Sequence, residues 1–197
     1  ISLWDAEVEA HLDRIVVAGR AVSGRVLWCG TAGLAGALAG RLPVPLPRLP
    51  RPILALVGSD QPVAKAQLAV LGRRHLLLTD VREADQVAGA LEQDGAAAVS
   101  LALPPHTPRA DAAAHITRVF AALLSRLPHP PGTVFVSGGE TLRGLAGALG
   151  AASLEVDGEI LPGVPTSLLR GGVWEGQRIV SKSGAFGDAG FLARLLG

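Results

Sequence analysis

The chain has 197 residues and a formal net charge of +1, with 49% apolar and only 4% aromatic residues. That length suits one good-sized domain, or one domain plus part of another, and the near-neutral charge argues against nucleic acid or an anionic membrane as a partner. Cys29 is the single cysteine, which excludes an intrachain disulfide and a thiolate metal cluster and fits a reducing cytoplasm.

Residues 4–19 predict an amphipathic helix with Leu12, Ile15 and Val16 on one face. Val26–Cys29 reads as a short strand, and Gly30-Thr31-Ala32-Gly33-Leu34 turns it into a small-residue helix ending near Gly40. The longest uncharged stretch, Val26 to Gly40, is too short to span a bilayer and is interrupted by Gly30, Gly33 and Gly36. No signal peptide is visible, and with no methionine anywhere the chain is expected to be a fragment of a longer product. LPVPLPRLPRP at 42–52 forbids helix and favours extended polyproline geometry, as in a semi-rigid linker. The expected organisation is therefore the tail of a first domain over 1–41, a Pro-rich linker over 42–52 and a second domain over 53–197.

Beyond the linker the pattern alternates. Strands are predicted at 53–57, 76–79, 97–103 and 133–136, with shorter pieces at 153–156 and 178–181. Helices are predicted at 62–71, with Ser59 or Asp60 as cap, and at 83–93, 109–127, 141–149 and 188–196. Near-continuous apolar strands alternating with helices specify an α/β fold, a mostly parallel sheet covered by helices on both faces. Ligands of such sheets sit at the carboxyl ends of the strands, so the turns at 58–61, 137–141 and 181–187 are placed to line one crevice.

These turns carry the chemistry. Glycines after a strand let backbone N–H groups crowd around an anion, and a following helix adds its unpaired N–H groups and dipole. Gly58-Ser59-Asp60 could hold a phosphate or ribose, or form an ordinary helix cap. Gly138 and Gly139 permit close approach to a ligand, and Thr141 can donate a hydrogen bond. Glu140 could orient a magnesium-bound water or a sugar hydroxyl, or simply favour the helix start. In Lys182-Ser183-Gly184, one of only two lysines in the chain stands beside a Gly/Ser turn, where it can face phosphate oxygens or remain solvated. Glu155, Asp157 and Glu159 alternate along one strand and read best as a solvated face. His75, His106, His115 and His129 lack ligand spacing, and no metal site is assigned to them.

SGGET at 137–141, EILPGVP at 159–165 and SKSGAFG at 181–187 together resemble the C-terminal nucleotide-binding domain of the four-carbon acid sugar kinases, long catalogued as a domain of unknown function. LVGSDQPVAKAQL at 56–68 is similar to the start of that domain. LWCGTAGLAGALA at 27–39 looks like the end of the family's N-terminal substrate domain, with Thr31 where a serine is usual. The resemblance implies ATP-dependent phosphorylation of a threonate, erythronate or ketotetronate, with Mg2+. It carries ATP contacts over to Ser59, to Gly138, Gly139, Glu140 and Thr141, and to Gly184; Lys182 and Ser183 join them from the residues themselves. The family's acidic pair followed by Thr-Gly-Ala is absent, so the catalytic base is unassigned and the fragment alone is expected to be inactive. A non-catalytic nucleotide-binding or dimerisation module is the alternative, and assembly as a homodimer stays open. An isomerase-like site ranks last, because no histidine lies near the turns.

Overall fold

Strands with apolar residues at every position must be covered on both faces, and that requirement organises the larger part of this chain. The computed structural model describes residues 1–40 and 48–197, which form two compact units, Ile1–Pro45 and Leu46–Gly197. The first prolines of the predicted linker, Pro43, Pro45 and Pro47, lie outside the described residues.

In the first unit, α1 (Glu9–Arg20) and α2 (Ala32–Ala39) meet through small residues. A Cβ added to Gly33 would come within 2.8 Å of Leu12 Cδ1, and one on Gly19 would overlap the Trp28 ring. Arg20 Nη2 donates to the Leu38 carbonyl at 3.0 Å. The strand expected at Val26–Cys29 does not form. A strand needs a ladder partner for its backbone groups, and the described residues of this unit offer none.

The second unit contains a seven-stranded sheet of order β2-β3-β1-β4-β7-β6-β5. Its strands are β1 (Ile53–Val57), β2 (His75–Leu78), β3 (Ala96–Leu101), β4 (Thr133–Ser137), β5 (Ser153–Leu161), β6 (Val164–Arg170) and β7 (Arg178–Lys182). The five strands from β2 to β7 pair in parallel, whereas β6 runs antiparallel to both β7 and β5. The sheet is thus mostly parallel, as expected. β5 runs past the predicted piece at 153–156, and its antiparallel pairing with β6 is not predicted from the sequence. Gly163, at φ +82°, makes the reversal, and Pro165 within β6 weakens the strand signal.

Alternation divides the core. Leu54, Leu56, Val99, Val134 and Val136 face α4 (Ala84–Asp94), α5 (Arg109–Arg126) and α6 (Gly139–Ala148), where Val87, Phe120, Leu123 and Leu145 pack. Ile53, Ala55, Val57, Phe135 and Val180 face α3 (Pro62–Ala69) and α7 (Phe191–Leu196), meeting Ala64, Leu68, Phe191 and Leu192. Helices therefore cover both faces. Phe135 and Phe191 stack obliquely, with ring centroids 5.9 Å apart. Among the described residues, no helix is long and apolar enough to cross a membrane.

Two carboxylates of β5, Glu155 and Asp157, are tied to neighbouring strands. Arg178 Nη1 donates to Asp157 at 2.5 Å, Thr166 Oγ1 donates to the same carboxylate at 2.9 Å, and Arg170 Nε donates to Glu155 at 2.5 Å. The Arg178 hydrogen bond is the main cause holding the Asp157 carboxyl below its ordinary range.

Phe135 is fully buried at the centre of one core layer, whereas Leu77 is 57% exposed. Urea unfolding is expected to show Phe135→Ala losing about 3–5 kcal/mol, and Leu77→Ala losing less than about 1 kcal/mol.

Candidate functional site

In β1, β4 and β7, the last residues Val57, Ser137 and Lys182 stand level in register. The hydrogen-bond ladder continues past them, with Gly58 N–H donating to Ser137 O at 3.2 Å and Gly138 N–H to Lys182 O at 3.0 Å. Three turns therefore leave the sheet at one height, side by side.

They touch where side chains are missing. A Cβ on Gly58 would collide with the Thr141 side chain and meet Ile116 Cγ2 at 3.0 Å. One on Gly138 would lie 3.3 Å from Thr141 Oγ1 and 3.8 Å from Ser59 Cβ, on a backbone held at φ +116°. One on Gly184 would overlap Ser59 and approach Gln61 Cγ at 3.2 Å. The structure thus brings together Ser59, Gly138, Thr141 and Gly184 from three separate strand ends. Nothing lies within 4 Å of the Cβ position of Gly139, which faces open space at the first position of α6.

Neither Ser59 nor Asp60 caps α3, contrary to the sequence expectation. The residue at that position is Gln61, without a side-chain cap, and Ser59 Oγ accepts from Gln61 N–H at 3.3 Å. No side chain caps α6 either, so the N–H groups of its first turn, at Gly139, Glu140 and Thr141, lie at the positive end of the helix dipole without a side-chain acceptor. Glu140 is exposed and pairs with Arg109 Nη2 at 3.6 Å. Ser183 is exposed, whereas Thr141 is buried, its side chain serving as the wall against Gly58.

Lys182 is buried at 4% exposure. Its Nζ donates to the carbonyls of Ser183 at 3.0 Å and Gly184 at 3.5 Å instead of standing free in the crevice. Sequence reading missed Gln67, which is fully buried in α3 and donates through Nε2 to the carbonyls of Phe186 at 3.1 Å and Asp188 at 2.9 Å. A signal existed: Gln67 occupies the apolar stripe of Ala64, Leu68 and Leu71, where a polar residue calls for a buried partner. Among the described residues, no three His, Cys, Asp or Glu side chains converge as a metal site.

The model of the family described as "Nucleotide-binding C-terminal domain" matches residues 54–192. The chain belongs to this family. The match covers the unit that carries the three turns and bears out the resemblance to the C-terminal domain of the four-carbon acid sugar kinases. Over 93% of its length the chain is 32% identical to the D-threonate kinase of Cupriavidus necator, of which it covers 50%. The crystal structure of a domain of unknown function from Bordetella bronchiseptica, a domain-swapped dimer with bound citrate, is 27% identical and superposes with a TM-score of 0.59, over 98% of this chain and 50% of that one. A Haemophilus influenzae protein shares the fold, with a TM-score of 0.62 at 22% identity over 96% of this chain and 51% of that one. The chain thus spans about half the length of the relatives it matches.

Burial lowers the Lys182 ammonium from its ordinary 10.5 to about 8. The folded value lies below the unfolded one, so between them the unfolded chain binds more protons and stability rises with pH. Thermal unfolding between pH 8 and 10 is expected to show the natural chain gaining on a Lys182→Met variant, by up to on the order of 3 kcal/mol. Parallel pH profiles of the two proteins would contradict the burial of a charged amine.

Proposed function

We propose that this chain is the ATP-binding half of a kinase that phosphorylates a four-carbon sugar acid of the threonate, erythronate or ketotetronate class. The observation that carries the proposal is the meeting of three glycine turns at the carboxyl ends of β1, β4 and β7, where Gly184 abuts Ser59 and Gly58 abuts Thr141. The kinship with a D-threonate kinase supplies the substrate class.

The residues present fit a nucleotide. The open first turn of α6 and the adjacent 183–187 turn offer backbone N–H groups to phosphate oxygens, with Gly139, Gly184 and Gly187 placing no Cβ beside them. Ser59 Oγ stands between them as a hydrogen-bonding group. Mg2+ would be held chiefly by the phosphate oxygens, with the exposed Glu140 carboxylate the nearest anionic side chain of the α6 turn. Phosphoryl transfer requires mainly positioning and charge neutralisation, and an array of fixed backbone dipoles supplies both. Selection of the sugar acid and the base that receives its proton are assigned to residues outside this chain, so catalysis needs a second wall that holds the acceptor hydroxyl in line.

Calorimetric titration with ATP–Mg2+ is expected to show saturable binding, and no heat at millimolar nucleotide would overturn the proposal. Gly139→Ala separates folding from ligand approach, because its methyl group enters open space. Its melting temperature should match that of the natural chain, while ATP–Mg2+ affinity falls at least about fivefold as the methyl obstructs the α6 amides. Release of ADP by the 197-residue chain, given ATP–Mg2+ and D-threonate, should stay more than about tenfold below that of a kinase with both cleft walls.

A further inference from the structure

The backbone of the 183–188 turn faces inward with its carbonyls. Four of them are held by two buried side chains from different elements. Lys182, at the end of β7, takes the oxygens of Ser183 and Gly184. Gln67, in α3, takes those of Phe186 and Asp188. Both donors lie on the α3/α7 face of the sheet. Lys182 lies two residues beyond Val180 on β7, and α3 covers that face through Ala64 and Leu68. Lys182 is 4% exposed and Gln67 fully buried.

In a trans peptide the N–H of each residue points opposite to the C=O of the residue before it. Carbonyls drawn inward at 183, 184, 186 and 188 therefore turn the N–H groups of Gly184, Ala185, Gly187 and Ala189 away from the interior donors. None of these four N–H groups has an acceptor among the described residues. Gly187, at φ +82°, allows the reversal that brings both Phe186 O and Asp188 O to one amide.

We infer that Lys182 and Gln67 are positioning residues that together clamp the 183–188 turn by its carbonyls and so present its N–H groups as an anion cradle. The inference rests on the nucleotide reading of the crevice and gives Lys182 a different part in it. Its charge acts on the protein's own carbonyls, and the ligand meets the backbone amides on the other side. A neutral amide, Gln67, performs the same task as the ammonium, so the net charge of the donor is not what the ligand senses.

Lys182→Met and Gln67→Met in the full chain distinguish a clamp from a direct phosphate contact. ATP–Mg2+ and ADP–Mg2+ affinities are measured by calorimetry in low and in high salt, and backbone heteronuclear NOE values of Ala185, Phe186 and Gly187 by NMR without nucleotide. A clamp predicts that both variants lose affinity by a similar factor, about tenfold, the same for ATP and ADP and at either salt concentration, and that the NOE values of the turn fall in both. Lys182→Gln, which keeps an N–H donor but no charge, should retain part of the affinity, and it replaces the methionine variant should that fail to fold. Loss confined to the Lys182 variants, larger for ATP and at low salt, would overturn the clamp in favour of a phosphate contact. Unchanged NOE values in both methionine variants would also overturn it. Should the natural chain bind no nucleotide, the NOE values still decide the clamp, while the nucleotide reading alone falls.

Discussion

The level register of β1, β4 and β7 is the constraint on which the rest of the crevice depends. Val57, Ser137 and Lys182 end their strands side by side, and the ladder runs one step further through Gly58 and Gly138. A displacement of one residue in either pairing would separate the turns by more than 3 Å and turn every side chain of a strand to the opposite layer. Register is held by the two apolar layers, since Phe135 and Val136 must each meet their own set of helices. Packing in the core and geometry at the crevice are thus one requirement.

Small size at the crevice has the same origin. Because the turns leave at one height, they press on one another, and glycine at 58, 138 and 184 is what lets them do so. The close approach leaves no room for a Cβ at those positions, and on the nucleotide reading proposed above the phosphate oxygens meet mainly backbone N–H groups. This is economical for an anion, whose oxygens are matched by fixed dipoles that need no reorganisation. The carbonyls of the same turn must go somewhere, and in the 183–188 segment they go to buried donors.

The antiparallel hairpin at the sheet edge is a separate solution to a separate problem. β5 is largely exposed on both faces, and two of its acidic residues, Glu155 and Asp157, pair with Arg170 on β6 and Arg178 on β7. Bulges between Val156 and Gly158 and between Glu159 and Leu161 interrupt the pairing of this edge. A broken, charged edge resists further strand addition.

How much of this could be read from the chain differs by element. The alternation of apolar strands and helices over 53–149 was legible because strands buried on both faces carry an unbroken apolar signal, and the glycine turns were legible because glycine after a strand has few other uses. The strand expected at 26–29 and the helix cap expected at Ser59 depended on partners that local sequence does not specify. By itself the sequence determined the α/β class, the family and the glycine turns that follow the strands. Only the tertiary structure decided that Ser59, Gly138, Thr141 and Gly184 meet, and that Lys182 turns inward to carbonyls with Gln67 beside the same turn. Those outcomes rest on register and on which face a side chain takes, and both are set by contacts between segments far apart along the chain.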